Sequence, residues 1–396
     1  MKPLKKYIPV LAVLAVILGI AAFFSLSDLG INTFAALQGR SLTLGRITGG
    51  SYDQFTPPPM PPVRAPEGTI VLTFPPRFIP EGMTTNPLTG LLMSEEAALR
   101  RPFAVVINNI EAALPQYGVS QADIIYEVIA EGVTTRLIAI YQDFDSRKIG
   151  SVRSARDYFV DIALDYDAFF IHFGGSPQSY TAIRNLRIDN IDGIRHDGGV
   201  RRDNFDSVVF WRDADRWQVA RLREHSAFTS AYSLLAQARR AGFRFYRDEN
   251  WQSPFNFFDQ RQSPPGAVPA GRISVTYVSN QPVVFVYNPL TGQYYRYQHN
   301  SPQIHGETGL QMAVDNVIVQ LTNVRVIPGD GAGRRQVDVV GSGRGYLFTN
   351  GTQTPITWSK ASSASPTQWF FEDGEKMTLN RGTTWINITN REPVVE

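Results

Sequence analysis

The sequence predicts an α+β protein: an N-terminal transmembrane helix, then an α/β sandwich domain, then a mostly-β domain. Three observations carry this expectation. Residues 7–26 form one uncharged apolar run. Between about residues 87 and 246, apolar positions alternate between helical and strand-like spacing. From Arg272 onward, short β-branched and aromatic runs are separated at short intervals by Gly, Pro and Asn.

The first run, YIPVLAVLAVILGIAAFFSL, has about the 20 residues that one bilayer crossing needs. Lys2, Lys5 and Lys6 precede it and Asp28 follows, so the positive-inside rule exports everything after it. A cleaved signal peptide is the rival reading. Signal cores usually span about 7–15 residues, and Ala-Phe-Phe-Ser-Leu-Ser is a poor cleavage site. An uncleaved signal-anchor over residues 1–26 is therefore expected. Residues 27–68 carry TPPPMPPVRAP and read as a proline- and glycine-rich tether.

At 396 residues the chain is long enough for two cores, and 43% hydrophobic content argues for folded protein. No cysteine is present, which excludes disulfides, thiolate catalysis, Cys-ligated metal and a lipid-modified N-terminal cysteine. Once the three leading lysines are set aside, the charges nearly balance. No global basic field exists, so nucleic acid is not an expected partner.

In the α/β domain, residues 69–252, Phe103–Asn108, Ile124–Ile129 and Thr135–Tyr141 read as strands. Ser154–Tyr166 reads as a helix capped by Ser154, with Tyr158, Ile162 and Tyr166 on one face. Ala168–Phe173 reads as the next strand, and Thr229–Ala241 as a helix ended by Gly242. Residues 253–271 are dense in Pro and Gly and read as a linker. Residues 272–396 follow as the β-rich domain, with turns at Pro289–Gly292, Gly329–Gly333 and Asn350-Gly351.

The chemistry concentrates in IGSVRSARDYFVDIALDYDAFFIHFGGSP, residues 149–177. Arg153, Arg156 and Asp157 stand where an apolar run becomes a helix. Free backbone N–H groups and guanidinium forks there suit a phosphate or a carboxylate. A buried Arg–Asp network locking helix to sheet is the structural alternative. His172 ends a strand beside Gly174 and Gly175, where a crevice often opens, but a hydrogen-bonded core histidine is the favoured reading. Asp123, Glu127 and Arg136, with Glu131, lie near strand ends. The acids among them suit acid/base or metal-ligand roles, against solvated edge charges as the alternative. His196–Asp203 with Asp189 and Asp192 reads as a loop that could close as a lid or hold a divalent ion. His225 could frame the same cleft. Ser342 in GSGRG lacks both a nucleophile elbow and a Lys-Ser/Thr phosphate loop, so it reads as a turn or bulge. No metal-ligand spacing stands out, and no cofactor is expected.

NPLTGL (86–91), RPFAVVINN (101–109), SQADIIYEVIAEGVTTRLIAIY (120–141), the 149–177 stretch, NVIVQ (316–320), VGSGRGYLF (340–348), TWSKAS and TWI together resemble the YerB-like lipoprotein family, a two-part domain of unknown function. The resemblance covers about residues 86–390. It implies an extracytoplasmic bacterial envelope protein and supplies no activity. Members often carry a lipobox cysteine, which an anchor helix would replace here. They also tend to have an arginine where this chain has Leu114, so one ligand contact would be lost. A shorter likeness, at Ala122-Asp123, Arg156-Asp157 and His172 to Gly175, is similar to LytR–CpsA–Psr phosphotransferases, which use arginines and aspartates around magnesium-pyrophosphate.

Three functions follow as expectations. The first is an anchored envelope protein binding an anionic envelope ligand through Arg153, Arg156, Asp157, His172, Gly174, Gly175, Asp123, Glu127, Arg136 and His225. The second is a phosphotransferase or hydrolase acting on a wall-polymer precursor, with magnesium on Asp123 or Asp157. The third is a structural adaptor in a membrane complex, with an envelope protein as partner and no small ligand.

Overall fold

The computed structural model describes residues 79–195, 209–277 and 281–396. The expected anchor, the tether and the 196–203 loop lie outside them. Among the described residues no helix is long and apolar enough to cross a membrane. All described residues fall in one compact unit, Thr69–Glu396.

The structure is α+β and rich in strands. In the N-terminal half the strands of the main sheet are β1 (Phe103–Asn108), β2 (Ile124–Glu131), β3 (Thr134–Tyr141), β4 (Phe169–His172) and β5 (Asn190–Asp192). In the C-terminal half the longer strands are β6 (Arg272–Val275), β7 (Val283–Asn288), β8 (Gln293–Gln298), β9 (Asn316–Leu321), β10 (Gly341–Thr349), β11 (Thr352–Lys360), β12 (Gln368–Phe371) and β13 (Thr384–Thr389). Ten strand segments lie side by side in the order Val268–Pro269, β11, β10, β9, β13, β2, β3, β1, β4, β5, and β12 joins β11 to complete an eleven-stranded sheet. The seam between halves is β13 beside β2. They run parallel, with Thr384 opposite Ile124 and Ile388 opposite Val128.

Unbroken apolar runs such as FAVVI follow from burial on both faces. Ala104 and Val106 of β1, Ile138 and Ile140 of β3, and Ile386 of β13 join one core. Val105 and Ile107, Leu137 and Ala139, and Trp385 join the other. Helix α1 (Asp157–Leu164) covers the first face with Tyr158, Phe159, Ile162 and Ala163. The second face carries a six-stranded sheet that contains β6, β7 and β8, together with the later helix Ala231–Arg240.

Helix starts follow local capping. In α2 (Pro177–Leu186), Ser176 Oγ accepts the Ser179 N–H at 3.1 Å, and Pro177 opens the helix without wasting a donor. Ser230 caps α3 (Ala231–Arg240) in the same way, and Gly242 follows in a left-handed conformation. Ser154 is not the cap of α1. The chain stays extended through Arg156, because Arg153 N–H donates to Val106 O (2.9 Å) and Ala155 N–H donates to Gly174 O (2.9 Å). Sheet pairing outcompetes the helix for those amides.

Two glycine-bearing segments differ in role. Asn350 and Gly351 both have positive φ and make the tight turn of the β10–β11 hairpin, Thr349 pairing with Thr352. The expected turn at Gly341–Gly345 is instead the first half of β10, Ser342 pairing with Ser359. Gly345 is required there because a Cβ would lie 2.5 Å from Val319 O. The Pro/Gly-rich stretch 253–271 is tied to the fold. Asn256–Phe257 pairs with Thr378–Leu379, and Val268–Pro269 pairs with β11.

Candidate functional site

The carboxyl ends of β1, β2 and β4 share one edge of the sheet. There the 151–156 segment wedges between β1 and β4: Val152 bridges Ile107 and Ala155 bridges Gly175. A crevice outside the carboxyl ends of parallel strands is a common ligand position in open sheets. Three guanidiniums from two segments meet there. Arg136, opposite Asn108 on β3, and Arg156 both grip the Glu131 carboxylate. Arg153 donates to Glu224 O at 3.0 Å and lies 3.8 Å from the Glu224 carboxylate. His225 stands behind them, its Nδ1 2.8 Å from the Asn108 amide and its Nε2 3.3 Å from Glu224.

The electrostatics are those of crowded positive charge. Burial, together with repulsion from Arg156 and Arg153, brings Arg136 down to about 10 against the pull of Glu131. Burial and Arg156 lower Arg153, and burial with Arg153 lowers Arg212. Burial pushes Glu131 up, but Arg136 and Arg156 outweigh it and hold the carboxyl below its usual range. Burial first, then Arg153, Arg216 and Arg136, lower His225 while Glu224 opposes. The Nε atoms of Arg136, Arg153 and Arg156, and the Asn108 Oδ1, are buried without hydrogen-bond partners. Asn108 is fully buried, and Arg136 and Arg156 are only 2% and 6% exposed, so these are strong unmet demands.

Of the ten predicted site residues, the structure brings Arg136, Arg153, Arg156 and His225 together. Asp157 adjoins them, but its carboxylate accepts its own and the Tyr158 backbone N–H, so the helix start is already capped by an anion. Gly174 and Gly175 back the 153–156 segment: Gly174 accepts from Ala155, and Gly175 pairs with Ala155. His172 points away into a polar core cluster, with Nδ1 2.8 Å from Gly174 O and 3.8 Å from Asp192. Asp192 in turn accepts Gly174 N–H, Ile194 N–H and the Tyr180 hydroxyl.

Asp123 lies at the opposite end of β2, about 25 Å away at roughly 3.3 Å per residue. Its carboxylate accepts Asn86 Nδ2 (2.7 Å) and Gln142 N–H (2.6 Å), pinning the NPLTGL loop to the sheet. Burial raises it from 3.8 to about 6. The folded protein thus binds this proton more tightly than the unfolded chain, so Asp123 favours folding increasingly as pH falls from 6 towards 4. Compared with Asp123→Asn, the wild type should gain about 2–3 kcal/mol between pH 7 and pH 4. Urea midpoints of both proteins across that range test this; a pH-independent difference would refute it.

Glu127 faces the other side of the sheet. It is fully buried and accepts from Arg296 (2.7 Å), Asn109 (2.9 Å) and Thr135 (2.9 Å). It floors a cavity of about 350 Å³ that Thr135, Tyr277, Gln298 and His299 also line. Sequence reasoning missed Arg296, Asn108, Arg212 and Glu224. Arg296 was findable, since it sits in phase with the core-facing Tyr294 along β8.

The comparisons with known proteins agree along the chain. Residues 88–244 match the N-terminal domain of the protein family of unknown function DUF3048, and residues 273–386 match its C-terminal domain. The chain is 32% identical over 305 residues to YerB of Bacillus subtilis (strain 168), which bears the name of a lipoprotein. That alignment covers 76% of this chain and 85% of YerB. The crystal structure of Bacillus subtilis YerB superposes with a TM-score of 0.66 at 28% identity, covering 78% of this chain and 99% of that one.

Proposed function

Because the chain belongs to the DUF3048 family, we propose that it works in the cell envelope, as the lipoprotein name of its relative suggests, and binds an anionic envelope ligand at the Arg136–Arg153–Arg156 cluster. The uncharged run 7–26 would hold it in the membrane as a single-pass helix in place of a lipid, with the bulk of the chain outside. The observation that supports ligand binding is the crowding of three guanidiniums at the carboxyl edge of the sheet, where Arg136 and Arg156 share the Glu131 carboxylate and each disfavours its neighbour's charge. Two carboxylates, Glu131 and the exposed Glu224, face three guanidiniums there among the described residues, and an anion would balance the remaining positive charge.

The phosphotransferase alternative drew on Asp123 or Asp157 for magnesium, and on His172 in the same pocket. Asp123 sits at the far strand end, Asp157 caps its own helix and His172 turns into the core. Binding without chemistry is therefore the better-supported reading.

Its test is thermal unfolding of the full chain in detergent with inorganic pyrophosphate, for the wild type and for Arg153→Ala/Arg156→Ala. The wild type should gain melting temperature with rising ligand, about 2.7 kcal/mol at a hundredfold excess over Kd. The double variant should not respond. Equal shifts in both proteins, or none in either, would refute the anion site.

A further inference from the structure

Two guanidiniums at the cluster are under-neutralised. Among the described residues Arg153 makes one ion pair, to the Glu224 carboxylate at 3.8 Å, which is 66% exposed, and Glu131 adds a weaker favourable charge. Arg212 meets no carboxylate among the described residues. It stacks on Phe173 (4.7 Å) and Trp217 (5.4 Å) and reaches Ser226 Oγ at 3.5 Å. Arg153 is the one charged neighbour that disfavours the Arg212 cation. His225 belongs to the same group, being linked to Asn108 and to Glu224, whose carbonyl holds Arg153.

We propose, building on the anion-binding reading above, that the ligand is a doubly charged oxyanion of the phosphoryl type, held by Arg153 and Arg212, and that its binding takes up one proton on His225. The geometry supplies the proton's place. With neutral His225, the Asn108 amide donates to Nδ1 and leaves its oxygen buried and unpartnered. A protonated His225 would donate from Nδ1 to that oxygen once the amide turns over, and from Nε2 to Glu224. The Asn108 NH₂ would then be free to donate to the anion.

The groups facing His225 among the described residues are Arg153 from the 151–156 segment, Arg136 from β3, Arg216 from the short helix Ala214–Gln218, and Glu224 next to it in sequence. In the free protein burial acts first, the cations add to it against Glu224, and the neutral imidazole is favoured. A bound dianion cancels the cations, so the imidazole gains its proton more readily and binding strengthens as pH falls. A monoanionic carboxylate would leave one guanidinium uncompensated.

Sulfate is the probe, because it is a dianion with no proton of its own to exchange near neutral pH. Imidazole resonances of the full chain in detergent are titrated with pH, with and without sulfate, using His225→Gln to assign the signal. Saturating sulfate should raise the His225 midpoint by about one pH unit. Arg212→Gln should weaken sulfate about tenfold, and acetate should leave the midpoint in place. Sulfate binding with an unmoved His225 midpoint, or an unweakened Arg212→Gln, overturns the inference while leaving the anion site standing. Pyrophosphate binding without any sulfate binding does the same. Failure of both anions to bind overturns the two readings together.

Discussion

Replacing Arg296 with methionine should cost about 3–5 kcal/mol, because it strands a fully buried carboxylate. Arg296 reaches across from β8 to Glu127 on β2 at 2.7 Å, with both side chains essentially unexposed. It also donates to Gln298 and Gln303, and its guanidinium stacks 4.5 Å from the Trp385 ring. Asn109 and Thr135 would remain on Glu127, but two neutral donors do not replace a cation. Adding Glu127→Gln removes the charge and should restore at least half of the loss, which identifies the mechanism as stranded charge and not lost packing. Urea denaturation of the three proteins is the measurement. A single-mutant loss under about 1 kcal/mol would sink the account.

Lys360→Met should be comparably damaging, by about 3–5 kcal/mol near neutral pH. Lys360 ends β11 and binds Asp165, which caps the end of α1; the two side chains are 1% and 3% exposed. Thr367 donates both its N–H (3.1 Å) and its hydroxyl (2.7 Å) to the same carboxylate. Burial already lifts Asp165 above the usual carboxylate range, with Lys360 opposing. Without the lysine the carboxyl rises further, so the variant gains stability as pH falls and Asp165 becomes neutral. The deficit against wild type should therefore be larger at pH 8 than at pH 5. A deficit that is flat with pH would point to lost packing of the lysine stem.

How far the sequence reveals the molecule depends on which forces are local. The strand FAVVIN was legible because two-sided burial leaves an unbroken apolar run from Phe103 to Ile107, and IIYEVI because Glu127 alone interrupts its run. The hairpin at Asn350-Gly351 was legible because its turn needs positive φ. The start of α1 was not, since the amides of Arg153 and Ala155 bond to strands distant in sequence. Arg153, Arg156, Arg136 and His225 were identifiable as candidates. Their convergence depends on the wedge between β1 and β4, which no local pattern announces. Asp123 and Glu127 looked like one acidic set four residues apart. An even spacing along a strand keeps them on one face, yet Asp123 lies before the strand begins and bonds to a loop instead. Arg296 and Lys360 share a readable sign: each is a cation in the apolar phase of its strand, a position tenable only beside a buried acid.

The seam where β13 lies against β2 has a consequence for how this chain acquires its shape. Residues 384–389 fill the middle of the sheet, between partners drawn from both halves. Until that segment has emerged, the edge of β2 is bare, and Trp385 and Ile386 are missing from both cores. Synthesis therefore delivers an unfinished sheet whose central slot waits for a late arrival. Long-range pairing of this kind folds slowly and leaves a sticky edge in the interim. A chain interrupted before residue 384 should not persist as a folded product; it should aggregate or be degraded.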